Sequence, residues 1–269
     1  MTYQIYIGFD EREKEPYQVA KHSILSRTLV PVEINKLWHR PLRSCGLFKR
    51  PWTIDSSGQY IDQIDNKPFS TQFSHSRFLV PELWRNNPQA NKSDFALFMD
   101  CDQLVLTDIA ELFEFVEDIK RKTNGRHPVY CVQHEYKPET QFKMDGSLQI
   151  KHNRKLWSSF MIFDMSHPDN EKLTPDMVNT ADGKDLHNFC WLEDTNSIGR
   201  LDEGWNFIPD HSERNTKNMF NIHLTEGGPW FSNYKNCRYG SLWWEEYEKF
   251  IQKSVTKVRF NVEGLLHNA

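Results

Sequence analysis

The sequence lacks several features that would settle its class at once. It has five cysteines, an odd number, and no two of them form a CxxC pair. That excludes a zinc ribbon and favours reduced thiols in a cytosol-like compartment over a disulfide-stapled secreted fold. It has no basic surplus. The formal net charge is −4, whereas a chain held to nucleic acid by phosphate neutralisation normally carries excess Lys and Arg. The basic stretches Lys120–Lys122 and Lys151–Lys155 are short and read as solvated helix ends and loops. No apolar run approaches the roughly 18 residues that span a bilayer. The opening MTYQIYIGFDERE meets charge too early for a signal peptide. Internal repeats, low-complexity tracts and clean linkers are also missing. The expectation is a cytoplasmic protein with no nucleic-acid partner and no membrane span, leaving room only for peripheral contact with a membrane surface.

What is present is aromatic bulk. Phe, Trp and Tyr make up 13% of the 269 residues, enough burial to fold a core without staples. QIYIGFD reads as a strand ending on Gly8 and Asp10, followed by a helix from about Glu15 to Arg27 and a strand in VPVEIN. A β–α–β start of this kind predicts a mostly parallel sheet flanked by helices. The stretch from Trp38 to Phe69 reads as irregular, a loop with short elements. FSHSRFLVPELW reads as a helix bent near Pro81. SDFALFMD rises as a strand. The helix after it keeps Ile109, Leu112, Phe113, Val116 and Ile119 on one face, with Asp108 and Glu111 spaced as a capping box. Further strands are expected in HPVYCVQHE, LWSSFMIFD and MFNIHLTEGGPWF, a short helix in KDLHNFCWL and a C-terminal helix from about residue 241. One domain over 1–269 is the simplest organisation. In the C-terminal helix, adjacent Trp243 and Trp244 do not share a face, so at least one is expected to pack on the main body.

The chemistry concentrates in FMDCDQLVL. Asp100 and Asp102 stand one residue apart at the end of an apolar strand, where open α/β sheets gather their ligands. Two neighbouring carboxylates suit Mg²⁺ or Mn²⁺, with diphosphate oxygens completing the shell. A solvated turn accounts for an Asp-x-Asp equally well. A phosphatase nucleophile is disfavoured, because Leu104 stands where that motif wants Thr or Val.

The wider pattern resembles glycosyltransferase family 8. SHSRFLVPELW, an apolar strand and MDCDQLVLTDIAELF follow one another as in that family. WSSFMIFDM resembles its next block, IHLTEGGPWF its C-terminal block, and IGFDEREKEPYQVAKHSILSRT its opening strand, acidic turn and helix. The resemblance runs from about residue 4 to 231, leaving 38–69 and the last thirty or so residues uncovered. It implies a GT-A-type, Rossmann-like α/β fold and a metal-dependent glycosyltransferase that takes a sugar from a nucleotide diphosphate sugar, UDP by analogy. The acceptor would be a glycan, glycolipid or other hydroxyl compound, and the anomeric configuration would be retained. Asp100, Asp102 and His223 would hold Mn²⁺ or Mg²⁺. Gly8, Phe9 and Asp10 would meet the nucleotide base, Arg77 the donor, and Ser158 and Ser159 the sugar. Two departures stand out. The family's lysine before Pro-Trp is missing, since Gly228 precedes Pro229 in a span one residue shorter. Backbone N–H groups at Gly227 and Gly228, or else Lys217 or Lys235, are then expected to take the diphosphate. The family's Asp-Gln-Asp block is KDLHNFCW here, so Asp185 matches the first acid, near the anomeric carbon, and His187 replaces the second. A rival reading is a non-catalytic module that binds nucleotide sugar or glycan.

Overall fold

The computed structural model describes residues 1–135, 142–143, 147–148 and 154–266, with side chains for 1–135 and 154–255. Residues 151–153 of the basic stretch Lys151–Lys155 lie outside the described residues. In chain order the elements are β1 (Thr2–Gly8), α1 (Lys14–Leu25), β2 (Val32–Leu37), α2 (His39–Ser44), β3 (Trp52–Ile54), β4 (Tyr60–Asp62), β5 (Pro68–Phe69), α3 (Val80–Asn86), β6 (Lys92–Met99), β7 (Gln103–Val105) and α4 (Ala110–Lys122). There follow β8 (Val129–Cys131), β9 (Phe142–Lys143), β10 (Ser147–Leu148), β11 (Phe160–Asp164), α5 (Asp169–Lys172), α6 (Pro175–Thr180), α7 (Gly183–His187), β12 (Gly199–Arg200), β13 (Asn221–His223) and α8 (Gly240–Leu266).

The main sheet has the order β12-β8-β11-β6-β1-β2. β1 pairs in parallel with β2 and β6, and β8 with β12, while β11 runs antiparallel between β6 and β8. This is the mixed, mostly parallel sheet expected. Its inner strands are near-continuous apolar runs because helices and loops cover both faces: every residue of β11 is buried, as are the last five of β6. The polar exception in β1, fully buried Gln4, is satisfied by the side-chain amides of Asn87 and Asn35, and itself donates to Gln89.

Two local expectations are corrected, at Pro81 and at the capping box, while the stretch 38–69 consists of loops and short elements as expected, with α2 and a three-stranded antiparallel sheet, β3-β4-β5. Fully buried Arg50 clamps this sheet to the α6 region, pairing with Asp62 and donating to the carbonyls of Val178 and Ala181. Pro81 does not bend a helix. It occupies the first turn of α3 after a 3₁₀ turn at Ser76–Leu79, where a missing N–H costs nothing. The capping box is shifted: Asp108 accepts from the N–H of Ala110, and it is Thr107 that reaches Glu111.

The smaller β7–β13 ladder joins segments far apart in the chain. β13 pairs antiparallel with β7, setting His223 opposite Gln103, and the Leu224 N–H donates to the carbonyl of Asp102. α8 is anchored beside it: Trp243 is buried, stacks on Tyr247 and meets Trp230, while Trp244 is 42% exposed. Glu246 ties α8 to α1 through His22 and Arg27. No described helix is long and apolar enough to cross a membrane.

Candidate functional site

Asp100 and Asp102 occupy the turn from β6 into β7, pinned from behind by the Asp100 N–H donating to the carbonyl of Ser159. The β7–β13 ladder brings His223 to the same point from far along the chain. One donor atom from each of the three residues lies within 4.8 Å of the others, and all three residues are buried.

The protonation of His223 follows from its partners. Asn206 donates its Nδ2 to Ser159 Oγ (3.0 Å) and, at longer range, to the Leu156 carbonyl (3.3 Å), which can only accept. Asn206 Oδ1 therefore faces His223 Nδ1, 2.8 Å away, and Nδ1 must donate. In the neutral ring that leaves a bare lone pair on Nε2. Nε2 is buried, makes no hydrogen bond among the described residues, and lies 3.2 Å from Asp102 Oδ1. Two acceptors at that distance repel unless a proton or a metal cation sits between them. Two carboxylates and an oriented imidazole fit a divalent ion such as Mn²⁺ or Mg²⁺, and the Asn206 bond is the outer-shell support that metal-binding histidines usually have.

Arg77 completes the corner. It lies 3.0 Å from Asp100 Oδ1 and donates to the Ser158 carbonyl at 2.8 Å. Burial pushes its guanidinium down and the charges of Asp100 and Asp102 oppose that. The expected donor contact is thus first a clamp on the acidic turn, although Arg77 also lines the cleft that opens beside it. Behind the acids, Glu13 is buried, and Cys101 donates to it over 3.7 Å. Burial, then the charges of Asp102 and Asp10, push the Glu13 carboxyl well above its usual range.

Both serines line the cleft. Ser158 Oγ bonds His187 Nδ1 at 2.7 Å, and His187 lines it too. Ser159 Oγ also donates to the Leu156 carbonyl and accepts from Asn206, so it supports His223 as well. Other expected residues are not brought into the cleft. Asp10 is fully buried, its oxygens accepting from the Arg12 guanidinium and from the N–H groups of Arg12 and Gln72. It closes its own turn. Phe9 is buried edge-on against Tyr17 and Trp38, with Lys36 Nζ over its ring. Gly8 is needed by the Phe73 ring, which a Cβ would meet at 2.5 Å. Gly227 (φ 144°) and Gly228 are similarly crowded by Tyr234 and Trp230, and the Gly227 N–H already donates to the Leu224 carbonyl. Asp185 is exposed and stands outside the cleft wall, whereas Lys184 and His187 of the same helix line it.

Sequence reasoning missed four groups. Asn206 carries no motif signal. Lys155 and Lys184, rather than Lys217 or Lys235, line the cleft. His75, two residues before Arg77, also lines it, and burial followed by the charges of Arg50 and Arg77 pushes its imidazole well below the usual range, so it is neutral.

No protein-family model matches the chain. Protein CDI of Arabidopsis thaliana is 38% identical over 256 residues, a match covering 94% of this chain and 88% of that protein. Among solved structures, the galactosyltransferase LgtC, determined with donor and acceptor sugar analogues, has a TM-score of 0.53 at 12% identity over 93% of this chain and 96% of that one. The glycosyltransferase GlyE of Streptococcus pneumoniae TIGR4 gives 0.51 at 14% identity over 96% of this chain. The bifunctional glycosyltransferase WbbM gives 0.52 at 13% identity over 91%. This chain spans 64% of the GlyE chain and 51% of the WbbM chain. The fold shared with these proteins is GT-A.

Proposed function

This chain belongs to the family of the Arabidopsis Protein CDI, and from that premise we propose that it is a metal-dependent glycosyltransferase of the family 8 type. It would transfer a sugar from a nucleotide diphosphate sugar, most simply a UDP-sugar, to a hydroxyl of a glycan, glycolipid or small acceptor. The observation that carries the reading is the meeting of Asp100, Asp102 and the bare Nε2 of His223 at the strand end of a GT-A fold. The solved LgtC complex, with its donor and acceptor sugar analogues, supports the same class of reaction.

In this reading Asp100, Asp102 and His223 would hold Mn²⁺ or Mg²⁺, and such an ion would supply neutralisation of the charge that builds on the leaving diphosphate. Arg77 keeps Asp100 aimed at that position. Lys155 and Lys184, on the cleft wall, take the diphosphate oxygens in place of the lysine missing before Pro229. Ser158 orients His187 toward the sugar, and neutral His75 offers a lone pair to a hydroxyl. The exposure of Asp185 supports a same-face displacement with retention over a covalent intermediate on that residue. A glycosyl adduct trapped on Asp185 would overturn it. All five cysteines are free, which supports a reducing, cytoplasmic place of work.

The test is a panel of nucleotide sugars incubated with Mn²⁺. Release of nucleoside diphosphate from one donor, lost on chelation and restored by Mn²⁺, is the expected result. No release from any donor, with or without acceptors, would instead make the chain a binding module.

A further inference from the structure

Glu203 and Asn206 stand at the two ends of one 3₁₀ turn, Glu203–Asn206. Asn206 orients His223. Glu203 belongs to a different cluster, with His134 just beyond β8 and His211. The His134 side chain is fully buried, and neither of its ring nitrogens makes a hydrogen bond among the described residues. Its Nδ1 lies 3.6 Å from Glu203 Oε1, and His211 Nε2 lies 3.7 Å from the same oxygen. These separations are too long for hydrogen bonds. They are close to the edge of a metal tetrahedron: with bonds of about 2.0–2.1 Å, neighbouring ligand atoms stand roughly 3.3–3.4 Å apart. One donor atom from each of the three residues lies within 4.8 Å of the others.

The surroundings suit an ion. The two imidazole rings are 5.6 Å apart and inclined at 66°, so they meet edge to face and do not stack. Asn215 Nδ2 donates to Glu203 Oε1 at 3.1 Å, an outer contact that orients the carboxylate. The His134 carbonyl accepts from Trp157 Nε1, fixing its loop. Asp210, in the left-handed conformation at φ 64°, turns the chain sharply into His211. Glu203 and His211 keep 18% and 23% of their side chains exposed, which gives an ion a way in.

We infer that His134 Nδ1, Glu203 Oε1 and His211 Nε2 form a second metal site, for Zn²⁺ or a similar borderline cation, with its fourth position open to water or an incoming ligand. Two imidazoles and one carboxylate favour such an ion, whereas the Asp100–Asp102–His223 corner, richer in oxygen, favours Mn²⁺ or Mg²⁺. The second ion would fasten the loop after β8 to the turn that supports His223, whatever reaction the first site performs.

The test uses the full-length chain stripped with a chelator and titrated with Zn²⁺ by calorimetry, then with Co²⁺ by visible absorption. Wild type and Asp102→Asn should both bind Zn²⁺ at this site and give the strong visible bands of low-coordinate Co²⁺. Glu203→Gln and His211→Ala should weaken Zn²⁺ by about 100-fold or more and lose those bands. Glu203→Gln preserves size and the Asn215 contact, so a folding failure of His211→Ala does not leave the question open. Equal Zn²⁺ affinity in wild type and Glu203→Gln overturns the inference. So does Zn²⁺ binding that Asp102→Asn alone abolishes, which would put the ion at the first site.

Discussion

The two corners that share the Glu203–Asn206 turn differ in their chemistry. The first sets two carboxylates and one imidazole at the end of β6, with the imidazole held by an amide. The second sets two imidazoles around one carboxylate, with an amide on the carboxylate instead. Neighbouring sites on one short turn can thus sort cations by ligand softness without any difference in fold.

The comparison breaks first at Asp102. Asp102→Asn should lower Mn²⁺-dependent nucleoside diphosphate release by about 10³-fold while sparing the Zn²⁺ titration. Activity within tenfold of wild type would sink the first site. Asn206→Ala comes next. It frees the His223 tautomer and should weaken Mn²⁺ by about 10–100-fold, read by thermal shift with Mn²⁺ and UDP. An unchanged Mn²⁺ response would mean that Asn206 does not set the ring.

The α1–α8 clamp supplies a control away from both corners. Burial pushes the Glu246 carboxyl up, but Arg27 and then His22 outweigh it and hold it below its ordinary value. A depressed carboxylate contributes stability above its unfolded pKa and loses it as pH falls through the folded one. Glu246→Gln should therefore cost about 2 kcal/mol of unfolding free energy near pH 7, measured by urea denaturation. The gap from wild type should narrow as pH drops below the usual carboxylate range, and a gap that widens there would refute the clamp. The smallest expected effect is at the cleft wall, where Lys184→Ala should raise donor KM about tenfold, the equivalent of one charge-assisted hydrogen bond, with kcat little changed. A fall in kcat alone would assign Lys184 another part.

Legibility in the sequence followed the range of the interactions. β1, α1, β2 and β6 were readable because continuous apolar runs and helical spacing are local signals, and Asp100 and Asp102 because they end such a run. His223 was reachable only through a resemblance of block order, since its partner strand lies far away. The β3–β5 stretch was legible only as short elements among loops, because strands of two or three residues carry no alternation that would pair them, and the Arg50–Asp62 clamp that organises them is written in no spacing. Asp10 shows a different limit: it looks like a ligand from outside, and no spacing tells that Arg12, two residues on, takes its oxygens. Asp185 matched a motif position, whereas a five-residue helix turns His187 and Lys184 to the cleft in its place. His134, Glu203 and His211 come from three separate segments with no ligand spacing to find.

The β7–β13 ladder also has a consequence in time. Asp100 and Asp102 leave the ribosome long before His223, and closing so long a loop is slow compared with local folding. An emerging chain can build β1 and β6 and display both acids, yet it has no imidazole to complete the corner until β13 arrives. On the proposed function, metal capture at the first site would report that synthesis has passed β13 and the ladder has zipped, and a chain interrupted earlier would carry only two of the three ligands.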